Sequence, residues 1–204
     1  MLSKIKNAIN GLFRPRINQQ LQQKLKNRDF SVISSNCNGA LMLHDLAQPF
    51  NSPFVNLYLE PADFVKYLQH LAHYNQQELH FIQNERPYPV GLLGDIKIYF
   101  MHYHSEQEAK AKWEQRLARL KTDNLFVIMT DRDGCTYQDL QAFDQLPYAN
   151  KVVFTHKAYP ELASAYYIRG FEQRGNVGDL FAYSGWCGKK YYDQFDFVNW
   201  FNQQ

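Results

Sequence analysis

From Phe30 onward, short runs of β-branched and aromatic residues alternate with helical stretches of roughly ten to fifteen residues, a rhythm that commits a chain to βα units around a parallel sheet. The predicted strands are Phe30–Ser35, Phe54–Leu59, Ile96–His102, Leu125–Thr130, Lys151–Thr155 and Ala165–Arg169. Between them, Asn38–Ala47, Ala62–Tyr74, Glu106–Lys121 and Tyr137–Leu146 read as helices, and Tyr191–Phe201 as a C-terminal helix with an aromatic face. Helix Glu106–Lys121 is the clearest, with Ser105 as N-cap, acids in its first turn and bases in its last. The expected fold class is α/β, a three-layer α/β/α arrangement with a mainly parallel sheet. Its 204 residues fit a basic N-terminal helical arm over residues 1–28 and a single α/β domain over 29–204.

The arm stands apart by charge. Residues 1–29 hold seven bases (Lys4, Lys6, Arg14, Arg16, Lys24, Lys26, Arg28) and one acid, Asp29, so that segment is +6 while the total is only +2. Leu2, Ile5, Ile9, Leu12 and Phe13 recur at helical spacing. Ile17, Leu21 and Leu25 resume it after Arg14-Pro15-Arg16, which predicts two short amphipathic helices broken at Pro15. Such an arm either lies on an anionic membrane face as a peripheral contact or packs on its own domain or a second copy.

Near-neutral charge and a pI near 8.3 exclude the strongly basic type of nucleic-acid-binding domain. Cys37, Cys135 and Cys187 are odd in number and far apart, which points away from a disulfide framework and toward a reducing cytoplasm. No apolar run is long enough to span a bilayer or act as a secretory signal. The expected location is therefore cytoplasmic, with the inner face of the cytoplasmic membrane open to the arm.

Ligands of open α/β sheets bind beyond the carboxyl ends of the strands. That rule gathers Ser35-Asn36-Cys37-Asn38-Gly39, His102-Tyr103-His104, Asp131-Arg132-Asp133-Gly134 and Thr155-His156-Lys157. Cys37, between a strand and a helix, suits a nucleophile whose thiol a helix N-terminus would acidify. Asn36, Asn38 and the Gly39 backbone would assist an oxyanion, His156 would be the base, and Asp131 or Asp133 would orient it. The bland alternative is a structural cysteine in a tight turn. Asp131 and Asp133 also form an Asp-x-Asp after a strand, which can hold Mg²⁺ or Mn²⁺ with substrate phosphates, or can simply be an acidic turn. His102 and His104, on one side of a continuing strand, suit a metal site or a polar substrate contact, and Lys157 suits a substrate contact. His70 and His73 lie one turn apart without a third ligand placed by spacing, so no metal site is assigned, and no cofactor follows from the residues.

These loops, with Tyr88-Pro89-Val90-Gly91 and Tyr192-Asp193-Gln194-Phe195-Asp196, resemble the bacterial domain-of-unknown-function family nineteen-nineteen over roughly Asn27 to Asn202. Members are described as exopolysaccharide or capsule biosynthesis proteins, so the resemblance implies surface-polysaccharide work on a carbohydrate or activated-sugar substrate. It brings no established catalytic residue. A looser similarity is to capsule-associated acetyltransferases that follow their first strand with Asn-Cys, as Asn36-Cys37 do here, although this chain lacks a late Asp-x-x-His and its last histidine is His156. The leading expectation is an acyltransferase acting on a sugar through Cys37. The alternatives are a metal-dependent glycosyl or phosphoryl transferase using Asp131 and Asp133, and a non-enzymatic sugar-binding or assembly protein.

Overall fold

The computed structural model describes residues 2–203 and is a mixed α/β structure. Four strands, β1 (Ser31–Ser34), β5 (Leu125–Thr130), β6 (Lys151–Thr155) and β7 (Ala165–Tyr167), form one parallel sheet in the order β1-β5-β6-β7. Ser31 lies opposite Leu125, Val127 opposite Lys151, and Val153 opposite Ala165. Every side chain of β5 is buried, as expected of a strand covered on both faces.

The period-two alternation of these strands divides the core. Ile33, Val127, Met129 and Val153 pack beneath α3 (Pro61–Gln69), α5 (Glu106–Leu117) and α6 (Tyr137–Asp144). Val32, Phe126, Ile128, Val152 and Phe154 pack on the opposite face with α2 (Asn38–Asp45) and α7 (Phe197–Phe201). The three layers follow directly. Ser105 caps α5 by accepting the Glu108 N–H at 3.1 Å, and Thr136 and Asp139 form a capping box on α6.

Five expected features differ. The predicted helix Ala62–Tyr74 is broken at His70, whose φ of −126° and ψ of 38° leave the helical region, giving α3 and a short α4 (Leu71–Tyr74). Phe54–Leu59 is not a strand, because Asn56 adopts φ 62° and breaks the extended run, leaving one isolated bridge from Tyr58 to Tyr99. Ile96–His102 shortens to β4 (Ile96–Tyr99), which leaves the parallel sheet and pairs antiparallel with β3 (Val90–Leu93), itself paired with β2 (Leu79–Ile82). The β3–β4 hairpin turns on Gly94, whose φ of 61° suits the tight connection. The predicted C-terminal helix splits into a 3₁₀ turn (Tyr191–Gln194) and α7, because Phe195 is extended and Asp196 starts a new helix by accepting the Asn199 N–H at 3.2 Å. Finally, the two predicted N-terminal helices are one, α1 (Leu2–Lys24), running through Pro15. Pro15 and Gly11 both lie on the solvent side, where water can satisfy the Gly11 carbonyl left without its helical partner.

Among the described residues, no helix is long and apolar enough to cross a membrane.

Candidate functional site

The sheet strands follow one another in sequence order, so no reversal of strand order creates a crevice. The crevice forms instead because the three-stranded sheet and the connector before α3 stand beyond β1. A cleft of about 420 Å³ opens where they meet the carboxyl ends of β1 and β5. Its polar side holds Asn36, Cys37 and Asn38 from the β1–α2 turn, with Arg132 and Asp133 from the β5–α6 loop. Tyr58, Tyr88, Met101 and His102 come from the connector and the small sheet, and Asp179 and Phe181 from the irregular segment before the C-terminus.

The β1–α2 turn is held tightly. Asn36 Nδ2 donates to Thr130 Oγ1 at 2.7 Å, tying β1 to β5, and Asn36 Oδ1 accepts the Asn38 side-chain amide at 2.8 Å and its backbone N–H at 3.3 Å. Gly39 N–H donates to Ser34 Oγ at 3.3 Å, and a Cβ at Gly39 would sit 2.7 Å from that of Ser34. Only glycine lets α2 approach the strand this closely. The first N–H groups of α2 thus already have partners. The side-chain oxygen of Asn38 is different: Asn38 is 2% exposed, lines the cleft, and its Oδ1 has no protein hydrogen-bond partner.

Cys37 occupies the N-cap of α2, half-buried, with Sγ 3.9 Å from the Leu57 carbonyl. Burial pushes its thiol above the ordinary range; the Arg132 charge opposes this and Asp133 reinforces it. The helix N-terminus does not make it a resting thiolate. Asp133 has φ 59°, the left-handed region, followed by Gly134 at 85°. Crowding around its carboxyl raises that group's pKa, helped by Glu60 and opposed by Arg132 and a hydrogen bond from Asn36. The residue itself remains open to solvent, and screening by water limits this shift. Arg132 is steadied by Asp179, 2.7 Å away.

Asp131 turns the other way. Its Oδ2 accepts the His156 backbone N–H at 2.8 Å and contacts His156 Nδ1 at 2.5 Å, while Oδ1 accepts the Val177 N–H at 2.7 Å. Asp131 and His156 thus form a close pair, yet neither lines the cleft. The loops carrying Cys37 and His156 follow strands on either side of β5, roughly 10 Å apart at the backbone. Asp131 and Asp133 do not converge, and among the described residues no group of three His, Cys, Asp or Glu is placed to hold a metal. His102 enters the cleft from a turn, whereas His104 is exposed outside it, with its backbone N–H on Glu108. Lys157 sits over the Tyr159 ring, 5.1 Å from its centroid, also outside the cleft. Gly39 supports the turn without lining the cleft.

Sequence reasoning missed Tyr58, Asp179 and Phe181 as lining residues. Tyr88 and Arg132 stood in motifs already singled out, but Asp179 and Phe181 belong to a stretch with no periodicity to read.

A family model described as "Domain of unknown function (DUF1919)" matches residues 8–202, so the match begins within α1. A protein of Haemophilus influenzae described as "Uncharacterized protein" is 63% identical over 199 residues, covering 98% of this chain and 97% of that one.

Proposed function

The chain belongs to the DUF1919 family, and from that premise we propose that it is a transferase of bacterial surface-polysaccharide biosynthesis that passes an acyl group to a sugar bound in the cleft, through Cys37. The observation that carries this reading is the gathering of the Cys37 thiol, the Asp133 carboxyl and the unpaired Asn38 Oδ1 around one cleft. A buried acceptor without a protein donor is suited to a substrate hydroxyl. Tyr58, Tyr88 and Phe181 offer apolar faces to the carbon skeleton of a sugar.

In this mechanism the thiol starts protonated and gives its proton to Asp133 or His102, which share the cleft, as Sγ attacks the acyl carbonyl. The donor's leaving group departs with that proton, which frees the base, and a thioester remains on Cys37. A sugar hydroxyl then attacks the thioester, losing its proton to the same base, and Sγ leaves as a thiolate that is reprotonated. Arg132 is the cleft cation able to steady the oxyanion in both steps. His156 and Asp131 act from outside the cleft, by holding the β5 and β6 ends together.

A glycosyl or phosphoryl transferase reading would leave the metal to Asp133, since both Asp131 oxygens already accept protein donors. Acyl transfer uses more of what faces the cleft.

The test is intact-mass analysis after incubation with acetyl-coenzyme A as probe donor, paired with complementation of a deletion strain. The expected results are an acyl adduct confined to Cys37 and cleared by hydroxylamine, and loss of polysaccharide acyl groups with Cys37→Ala. A strain whose polysaccharide is acylated normally by folded Cys37→Ala protein overturns the proposal and leaves the cleft a binding site.

A further inference from the structure

The N-terminal half of helix α1 is amphipathic the wrong way round for a helix that merely covers its own domain. Asn10, Arg14, Asn18 and Gln22, at successive i+4 positions, face the body. Asn10 bonds the backbone of Gly185 and Gly188 at 2.8 and 2.7 Å, Asn18 and Gln22 bond Asp45 at 3.0 and 2.9 Å, and Arg14 is paired with Asp45 at 2.6 Å and with Asp193. The apolar residues of the same segment point outward, with Ile5 49%, Leu12 80% and Phe13 51% exposed and Ile9 half-buried between them. A helix that packs only on its own domain turns its apolar stripe inward. Folding accounts for the polar stripe and for Leu21, which packs on the core, and leaves Ile5, Leu12 and Phe13 exposed.

Two further observations identify what covers it. Trp186, 48% exposed, projects from the loop that Asn10 grips on both sides, next to Phe13, whose Cβ would lie 2.8 Å from a Cβ at Gly188. Exposed cations accompany the stripe: Arg16 follows it on the helix, and Lys24 and Lys189 lie further along at a groove that also holds Asp193 and Asp196, while residues 1–28 contain no acid. Apolar residues, a tryptophan and a cationic rim on one face are the composition of a membrane-interface helix. A second copy docked face to face would set the same cations against each other, which charge complementarity disfavours.

We propose that the outward face of α1, with Trp186, docks the protein on an anionic lipid surface, lying in the interface without crossing it. This does not depend on any chemistry in the cleft.

The experiment is co-sedimentation of the full chain with vesicles of phosphatidylcholine alone or with about 30 mol% phosphatidylglycerol, at low and high salt. Binding is expected on the anionic vesicles only and should weaken with salt. It should drop by roughly tenfold or more in Ile5→Ser/Leu12→Ser, because both side chains are solvent-facing and only the lipid contact loses them. Trp113 and Trp200 are buried, so a blue shift of tryptophan emission on anionic vesicles reports Trp186 and should vanish in Trp186→Phe. The Cys37→Ala variant should bind vesicles as wild type does, which separates this test from that of the cleft. Absence of binding, equal binding to neutral vesicles, or undiminished binding by folded Ile5→Ser/Leu12→Ser overturns the proposal. So does a dimer in sedimentation equilibrium that this double variant dissociates, which would assign the face to a second copy.

Discussion

Replacing Arg14 by methionine tests whether the polar face of α1 is structural. Asp45 ends α2, where the helix dipole disfavours a carboxylate, and it is 4% exposed. Four groups meet it there: Arg14 Nη2 at 2.6 Å, Lys190 Nζ at 2.7 Å, the Tyr192 hydroxyl and Asn18 Nδ2 at 3.0 Å. Arg14 also pairs with Asp193 and donates to the Gly188 carbonyl at 3.3 Å. Removing one partner of a buried ion pair costs about 3–5 kcal/mol. Because Lys190 stays on Asp45, Arg14→Met should fall near the low end, about 3 kcal/mol. For a chain of 204 residues, that lowers Tm by about 6–12 °C. Urea unfolding followed by circular dichroism and fluorescence measures it. Adding Asp45→Asn should recover part of the loss, with a coupling of about 1–3 kcal/mol, since the most buried carboxylate is then gone even though Lys190 and Asp193 each lose a partner. The pH dependence has a defined sign. Burial pushes the Asp45 carboxyl up, but hydrogen bonds from Lys190 and Tyr192 and the charges of Arg14 and Lys190 bring it below its ordinary value. Its contribution is therefore complete above the unfolded value near pH ~4 and is lost as pH falls through the lower folded value. Arg14→Met should show a shallower loss in that window than wild type. A stability change below about 1 kcal/mol, or an unchanged acid slope, would refute the reasoning.

Gly39→Ala should destabilise by about 1–3 kcal/mol, because its Cβ would press on Ser34 and Val32 at 2.7 and 3.0 Å; a neutral result in urea unfolding would mean that α2 can shift freely. Asp131→Asn should cost about 2 kcal/mol, since whichever way the amide turns, its NH2 group faces the N–H of either His156 or Val177. Asp133→Asn, at φ 59° where asparagine is tolerated, should stay within about 0.5 kcal/mol, and a reversed order would contradict the different roles given to the two acids. Iodoacetamide followed by peptide mass analysis should label exposed Cys187 well before Cys37 at neutral pH, with the Cys37 rate still climbing in alkaline buffer as its raised pKa requires. A Cys37 rate independent of pH from 7 upward, about two units below the ordinary thiol range, would instead mean a resting thiolate.

The central parallel strands β5 and β6 were legible because they are nearly continuous apolar runs buried on both faces, a pattern that needs no partner to be recognised. The small sheet was not, since β2 and β3 are four residues each and Gly91 removes a side chain from the middle of the alternation. Leu93-Gly94-Asp95-Ile96 was the available signal, a two-residue hairpin turn between apolar ends. Two failures had a local cause. Asn56 flips to positive φ inside an otherwise extended stretch, and Pro15 fails to break α1 because its lost hydrogen bond falls on the wet side of the helix. Periodicity located the apolar stripe of α1 but could not say which way it faced. That depended on Asp45 and Asp193, distant in sequence, which drew Arg14 inward.

The strand-end rule reached Asn36, Cys37, Asn38 and Asp133 for a sound reason, and the pairing of Asp131 with His156 follows from β5 and β6 being neighbours. His102 came to the cleft by another route, since its strand runs antiparallel in a separate sheet. What the rule could not supply was the segment from Val177 to Lys190, which has no periodic pattern but reaches the end of β5, the cleft, α1 and α2. Val177 caps Asp131, Asp179 holds Arg132 at the cleft, Gly185 and Gly188 clasp Asn10 around Trp186, and Lys190 reaches Asp45. The chain from Asp179 to Trp186 is seven residues long, with Asp179 tied to Arg132 at the cleft and the Trp186 loop tied to Asn10 of α1. One irregular segment therefore supplies residues both to the cleft, through Asp179 and Phe181, and to the loop that α1 clasps, through Gly185 and Gly188, and no strand-end rule or periodicity leads to either.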